Sequence, residues 1–302
     1  MNNDTAGDPM SSSKWSRKSV RKINQDLASQ GIILSPPTTC NILKGQKYSL
    51  KANRKTIAET QHPDRNRQFE IIADQKRKFA DMGQPLTSID SKKKELVGNY
   101  KNNGRTWKKK ADEVQVHDFP SKESIKVTPN GLYDIIANYG TVVLGTSHDT
   151  PEFAVDTIEL WLNCYGWRQY PNLKDLLILC DSGGSNGYRV RGWKYYLYHK
   201  ISNPHGISVT VCHYPPGASK WNPIEHRLFS FISINWAGVP LRSCDIMLNF
   251  IRNTTTQSGL KVDAHLNKKN YEKGIKITDE QMKEIRIERH EELPEWNYTI
   301  CP

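Results

Sequence analysis

Apolar positions first recur along the chain with helical spacing. Between Lys14 and Gln30, Val20, Ile23 and Leu27 lie three and four residues apart and predict one helix face, with Gly31 placed to close it. In SPPTTCNILKG, Ser35 can cap a second helix, Pro36 suits its first position and Gly45 can end it. Two short helices across a tight turn predict a helix-turn-helix-like segment over 14–62. HPDRNRQFEIIADQKRKFADMG predicts a linker helix over 63–84, with Phe69, Ile72 and Phe79 on one side. From Pro85 the pattern changes. PLTSID, ELVGNYKN and GTVVLGTS (140–147) predict three strands. TPEFAVDTIELWLNCYG predicts a helix, with Thr150 as cap, Pro151 at its first position and Gly166 past its end. LLILCD predicts a buried strand, RVRGWKYYLYHKI a helix and ISVTVCHYPP a strand. WNPIEHRLFSFI predicts a helix opened by Asn222 and Pro223. Three strands and then helix–strand–helix–strand–helix is an α/β order with a mixed sheet flanked by helices. It defines a main domain over 85–255, with a polar, disordered tail over 1–13 and a C-terminal extension over 256–302.

The 302 residues suffice for one large domain and a small one. The mean hydropathy of −0.69 leaves a very polar surface around the core. The net charge is +11, and it is uneven: residues 1–80 carry +8, the remainder +3. A basic leader on a nearly neutral body predicts a nucleic-acid-binding segment. Thr38, Thr39, Asn41 and Lys44 are its candidates for a DNA groove, and Lys47, Lys51, Arg54 and Lys55 for phosphates. The six cysteines form no C-x-x-C pair, which argues against a zinc ribbon. MNNDTAGDPMSSSK lacks the apolar stretch of a secretion signal, and no run approaches the ~20 apolar residues of a membrane helix. The expectation is a cytoplasmic, nucleoid-associated protein with reduced thiols and no membrane partner.

CDSGGSNG, residues 180–187, admits three chemistries. Asp-Ser-Gly-Gly resembles the loop of a chymotrypsin-like nucleophile, but that arrangement needs an earlier His and Asp in an all-β setting. Gly183-Gly184-Ser185-Asn186-Gly187 fits a nucleophile elbow, which would take an acid and a His downstream, such as Asp245 and His265. The third reading makes Asp181 a metal ligand at a strand end. The predicted order is that of the ribonuclease H-like fold. It puts Asp90 and Asp181 at the ends of adjacent strands and Glu225 in the first turn of a later helix. Three carboxylates without basic partners repel, and two Mg²⁺ or Mn²⁺ ions remove that penalty. Two such ions also serve phosphodiester displacement. Each acid has an ordinary alternative. Asp90 can be a turn residue, Asp181 can bond its own loop, and Asn222-x-x-Glu225 looks like a capping box. Asp149 rivals Asp90, although its place before a helix suits a cap. The absence of G-x-x-x-x-G-K-[ST] leaves no ATPase signal.

SIDSKKKELVGNYKNNG, HDTPEFAVDTIELW, CDSGGSNGYRVRGWK, HYPPGASKWNPIEHRLFSFIS and EWNYTI strongly resemble bacterial insertion-sequence transposases of the Rhodopirellula-type DDE domain family, in order from about Asp8 to the C-terminus. The resemblance implies a ribonuclease H-like DDE transposase. Its acids would be Asp90 in SIDSKKKE, Asp181 in CDSGGSNG and Glu225 in WNPIEHRLF. The partners it implies are double-stranded DNA, at transposon ends and target, and further copies of the chain as a homo-oligomer on that DNA. Lys92, Arg189, Arg191 and Arg227 are candidates for backbone phosphates, as are Lys93, Lys94 and His226. Family members carry more helical sequence ahead of the GDPM stretch, so a truncated DNA-reading region is expected. Cys180, Ser182 and Pro223 differ from the family pattern beside the acids. Two other functions remain open: a DNA-binding relic or repressor that does not cut, and a nuclease of the same fold that never joins strands.

Overall fold

The computed structural model describes residues 5–7, 14–16, 18–50, 62–116 and 125–302. The chain divides into two units, Met1–Ile57 and Ala58–Pro302.

In the first unit, β1 (Thr5–Gly7) pairs antiparallel with β2 (Lys14–Ser16). Two helices follow, α1 (Val20–Ala28) and α2 (Pro36–Gly45). The helix expected from Lys14 therefore starts six residues later. The Ser19 side chain accepts the Lys22 N–H and fixes the start there. At its end Ile32 N–H bonds Leu27 O and Gly31 N–H bonds Ala28 O, the closure expected of Gly31. Ser35 caps α2 as read, with Pro36 first. Gly45 is the last helical residue of α2, as expected, and the left-handed position falls on Lys47 (φ 64°), where Tyr48 N–H reaches Leu43 O. Thr39 is buried, and its hydroxyl donates to Asn24 Oδ1 at 2.6 Å, while Asn24 Nδ2 donates to Leu34 O at 2.7 Å. That bond ties α1 to α2, so Thr39 does not face a groove.

The second unit is built on one mixed nine-stranded sheet. Its strands are β3 (Leu86–Ser91), β4 (Glu95–Val97), β5 (Ile125–Asp134), β6 (Tyr139–Gly145), β7 (Asp175–Cys180), β8 (Ser208–His213), β9 (Lys261–Asn267), β10 (Arg286–Arg289) and β11 (Asn297–Cys301). The order is β10-β11-β8-β7-β3-β5-β6-β9, with β4 on β5. The central pairs β3–β7 and β7–β8 are parallel, and β3–β5 and β5–β6 antiparallel. This is the expected ribonuclease H-like mixed sheet, with two corrections. Strand β5, the longest, is not among the predicted strands, because T-P-N-G at its centre carries turn residues. Residues 256–302 are no mere extension: β9 pairs parallel with β6, and β11 pairs antiparallel with β8, so they widen the same sheet.

Alternation along β7 sends Leu176, Ile178 and Cys180 to one face and Leu177 and Leu179 to the other. The first face is covered by α4 (Pro151–Trp161) and α5 (Arg191–Leu197) through Ala154, Ile158, Trp161 and Trp193. The other is covered by α3 (Arg65–Asp81), whose Ile72 and Phe79 meet Leu86 and Leu177. The helix read as a linker is thus a layer of this unit. Beside it lie a π-helical turn at Glu225–Phe229, α6 (Ser230–Asn235) and α7 (Cys244–Arg252). Among the described residues no helix is long and apolar enough to cross a membrane.

Candidate active site

Ile89 pairs with Cys180 across the parallel β3–β7 ladder, so Asp90 and Asp181 are the next residues on neighbouring strands. Parallel neighbours lie about 4.8 Å apart. The third acid arrives from the sequence 219–229. Asp90 also pairs with Gly131 of β5, and a Cβ on Gly131 would sit 2.7 Å from Phe229 and 3.1 Å from Ile224. A Cβ on Gly140 would sit 2.6 Å from Leu228. These two glycines let the turn carrying Glu225 lie directly on the sheet.

A buried polar chain then fixes the acids. Ser88, two residues before Asp90 and on the same strand face, donates from Oγ to Asn222 Oδ1 and accepts the Ile224 N–H at 3.3 Å. Asn222 Nδ2 donates to Asp181 Oδ1 at 3.0 Å. The capping box read at Asn222-x-x-Glu225 is absent: the amide is committed to Ser88 and Asp181, and Glu225 N–H bonds the Asn222 carbonyl instead. On the far side of Asp181, His213 is fully buried, its Nδ1 bonded to the Asp181 carbonyl at 2.9 Å and its Nε2 to the Tyr298 hydroxyl at 3.0 Å. Burial pushes this imidazole down to about 4.

Asp149 is not the helix cap, since Thr150 Oγ1 accepts the Phe153 N–H at 3.3 Å. It accepts Ser91 Oγ and Ser185 Oγ, both at 3.1 Å, and Asn130 Nδ2 donates to Ser91 at 2.8 Å. These bonds tie the CDSGGSNG loop to β3 and β5. Gly184 takes φ 80° within that loop, which lets the chain turn there. Ser185 is therefore bonded to an acid, and no histidine among the described residues bonds it. His265 pairs with Asp263 at 2.9 Å on β9. Among the described residues neither serine reading has its partners. Ser88, Asn222, Ser91 and His213 were not singled out from sequence as site residues. Only Ser88 had a signal available, the two-residue period that puts it on the face of Asp90.

The electrostatics are those of clustered, half-buried acids. Burial, then the Asp181 charge, pushes the Asp90 carboxyl up to about 8 against the Ser91 N–H bond, with Glu225 and Asp149 adding to it. Burial also raises Asp181; the Asn222 bond opposes this, and Glu225 reinforces it. No Lys, Arg or His among the described residues forms an ion pair with Asp90, Asp181 or Glu225. Also among the described residues, no three acid, His or Cys side chains stand ready-made around a metal position. Asp90 Oδ1 accepts the Ser91 N–H at 2.8 Å and Asp181 Oδ1 accepts Asn222. The donor set still suits a hard divalent cation: oxygen ligands only, mutually repelling and unneutralised.

Of the residues read as DNA contacts, Thr38 shares its hydroxyl with Ser35 at 2.7 Å, and Asn41 and Lys44 are exposed. Lys51 and Arg54, with Lys55, lie outside the described residues. Lys92 pairs with Glu95 and lies over the Trp236 ring at 5.0 Å. Arg191 bonds Asp279 at 2.7 Å and Ile277 O at 3.2 Å. Arg189 and Arg227 are exposed, and His226 Nε2 is taken by the Lys220 carbonyl.

Solved structures similar to this chain include the Mos1 transposase paired-end complex with left transposon end (14% identity, 79% of this chain and 71% of that one, TM-score 0.45). Another is the Mos1 strand transfer complex (11% identity, 81% and 72%, TM-score 0.45). No curated protein matches. The family described as Rhodopirellula transposase DDE domain matches residues 1–302, and the chain belongs to that family.

Proposed function

We propose that this transposase cleaves DNA at the ends of an insertion sequence and joins the freed 3′ end to target DNA. The observation that carries the reading is the meeting of Asp90 and Asp181 at neighbouring parallel strand ends, coupled electrostatically to Glu225. Asp90, Asp181 and Glu225 would hold two Mg²⁺ or Mn²⁺ ions. Bound there, such ions supply charge stabilisation to the entering and leaving oxygens of an in-line displacement. The chain's own part is positioning. Asn222 and His213 hold Asp181 from its side chain and its carbonyl, and Asn222 is itself held by Ser88. Asp149 clamps the 182–187 loop to β3. The chemistry is two displacements at phosphorus, by water and then by the freed 3′-hydroxyl, with no covalent link to the protein. Double-stranded DNA is the partner at both steps. Pairing two ends calls for a homo-oligomer on DNA, acting at the nucleoid in the cytoplasm.

The test supplies Mg²⁺ and labelled DNA bearing the segments that flank the coding sequence, and compares wild type with Asp181→Asn. Cleavage and joined product from wild type alone are expected. Equal cleavage by both proteins overturns the assignment. Cleavage without joining reduces it to a nuclease, and salt-dependent binding without nicking reduces it to a DNA-binding protein.

A further inference from the structure

The C-terminal strand reaches Asp181 through a buried polar chain. His213 ends β8 and pairs with Cys180, the residue before Asp181. His213, Tyr298, Asn297 and Gln68 are all fully buried. Each polar atom of His213 is committed. Its backbone N–H bonds the Trp296 carbonyl at 2.9 Å, and its carbonyl accepts Gln68 Nε2 at 2.8 Å. Gln68 and Asn297 pair amide to amide at 2.8 and 2.7 Å, which ties α3 to β11. In the ring, Nδ1 faces the Asp181 carbonyl at 2.9 Å and Nε2 faces the Tyr298 hydroxyl at 3.0 Å. The direction of these two bonds has one solution. A carbonyl oxygen only accepts, so Nδ1 carries the ring proton. Were the Cys180 thiol, 3.3 Å away, to donate to Nδ1 instead, two lone pairs would face each other at 2.9 Å; the thiol has the Asn186 carbonyl at 3.8 Å to bond. The buried ring is uncharged, so Nε2 offers a lone pair and accepts from the Tyr298 hydroxyl.

We propose that Tyr298 is a positioning residue for Asp181: its hydroxyl fixes the His213 tautomer, and the fixed Nδ1–H holds the Asp181 backbone and so the direction of its carboxylate. The role rests on the reading of Asp181 as a metal ligand, and it makes β11 part of the site. Tyr298 is itself held in place, opposite Val211 on β8 and with the Lys194 ammonium 5.0 Å over its ring. Without a donor at Nε2 the ring proton moves freely to that nitrogen, and Nδ1 then turns a lone pair on the Asp181 carbonyl. Groups that orient a metal ligand without touching the metal typically carry about 10–100-fold in metal affinity.

The experiment uses the full chain without DNA, its histidines labelled with ¹⁵N. Long-range ¹H–¹⁵N spectra in EDTA read the ring tautomers. Mn²⁺ binding is followed by loss of the free ion's electron paramagnetic resonance signal, well below the melting temperature. Wild type should show an Nδ1–H histidine signal that is missing from His213→Gln. Tyr298→Phe keeps the ring and removes one oxygen; it should lose that signal and bind Mn²⁺ about tenfold more weakly. Gln68→Leu breaks the amide pair and leaves the Tyr298–His213 bond. It should lower Tm, yet keep the tautomer and the wild-type Mn²⁺ affinity. An Nε2–H ring at His213 in wild type, an unchanged Mn²⁺ affinity in Tyr298→Phe, or an equal weakening in Gln68→Leu overturns the role of Tyr298 and leaves the metal reading standing. Failure of wild type to bind Mn²⁺ overturns both.

Discussion

Asn222 sits fully buried between β3 and the turn that brings Glu225, with each end of its amide committed. Replacing it by alanine leaves Ser88 and Asp181 without that partner in a place water reaches poorly. The expected cost is about 1–3 kcal/mol of stability, together with loss of DNA cleavage by more than tenfold, because Asp181 no longer has a fixed direction. Thermal melts and a cleavage assay on Asn222→Ala check both. Unchanged cleavage at unchanged stability would remove Asn222 from the positioning chain. The residue shows how far single positions can be read. N-P-x-E is consistent with a cap or with a site, and only the fold decides, because the deciding partner, Ser88, lies 134 positions earlier. The partners of Thr39 and Lys92 are out of sight of the local sequence for the same reason. A hydroxyl or an ammonium in a polar stretch looks available until Asn24, or Glu95 with Trp236, is found beside it.

Among the elements, β3, β7, β8, α3 and α4 were legible because each repeats one period without interruption, and α4 also carries its own cap in Thr150. The acids were legible with them, since strand ends and first turns are local features. Strand β5 was not, because Pro129, Asn130 and Gly131 are turn residues that the sheet overrides. Gly131 has a reason to be there. It lies opposite Asp90, and only the missing side chain admits Phe229 and Ile224 so close to the sheet. Gly131→Val should push the Glu225 turn outward. Overpacking of this kind costs about 1–3 kcal/mol, and cleavage should fall further than the stability loss alone explains. A melt and a cleavage rate measured well below the melting temperature separate the two. A variant that loses stability and keeps its full rate would show that the glycine serves packing only. The C-terminal strands were illegible on other grounds: their partners β6 and β8 lie far back in the chain, so pairing, not local pattern, makes them strands.

At the scale of the whole molecule, the positive balance of the chain and the bare acidity of its centre are two sides of one design. Cations sit on α3 and around Glu225, and among the described residues none forms an ion pair with Asp90, Asp181 or Glu225. A fold stable enough to hold three repelling carboxylates does so at a cost that divalent cations would offset. Ligand binding to the folded state alone adds about 2.7 kcal/mol at one hundred times Kd, or roughly 5–10 °C in Tm for a unit of this size. Wild type should therefore melt higher in millimolar Mg²⁺ or Mn²⁺ than in EDTA. Asp181→Asn should remove most of that difference. With one charge gone it should melt above wild type in EDTA, and it should gain little from the metal. The measurement needs no DNA, so it tests the carboxylate trio separately from the DNA reading. A wild type indifferent to divalent cations, or a variant that gains as much as wild type, would mean that the three acids do not act together on a metal.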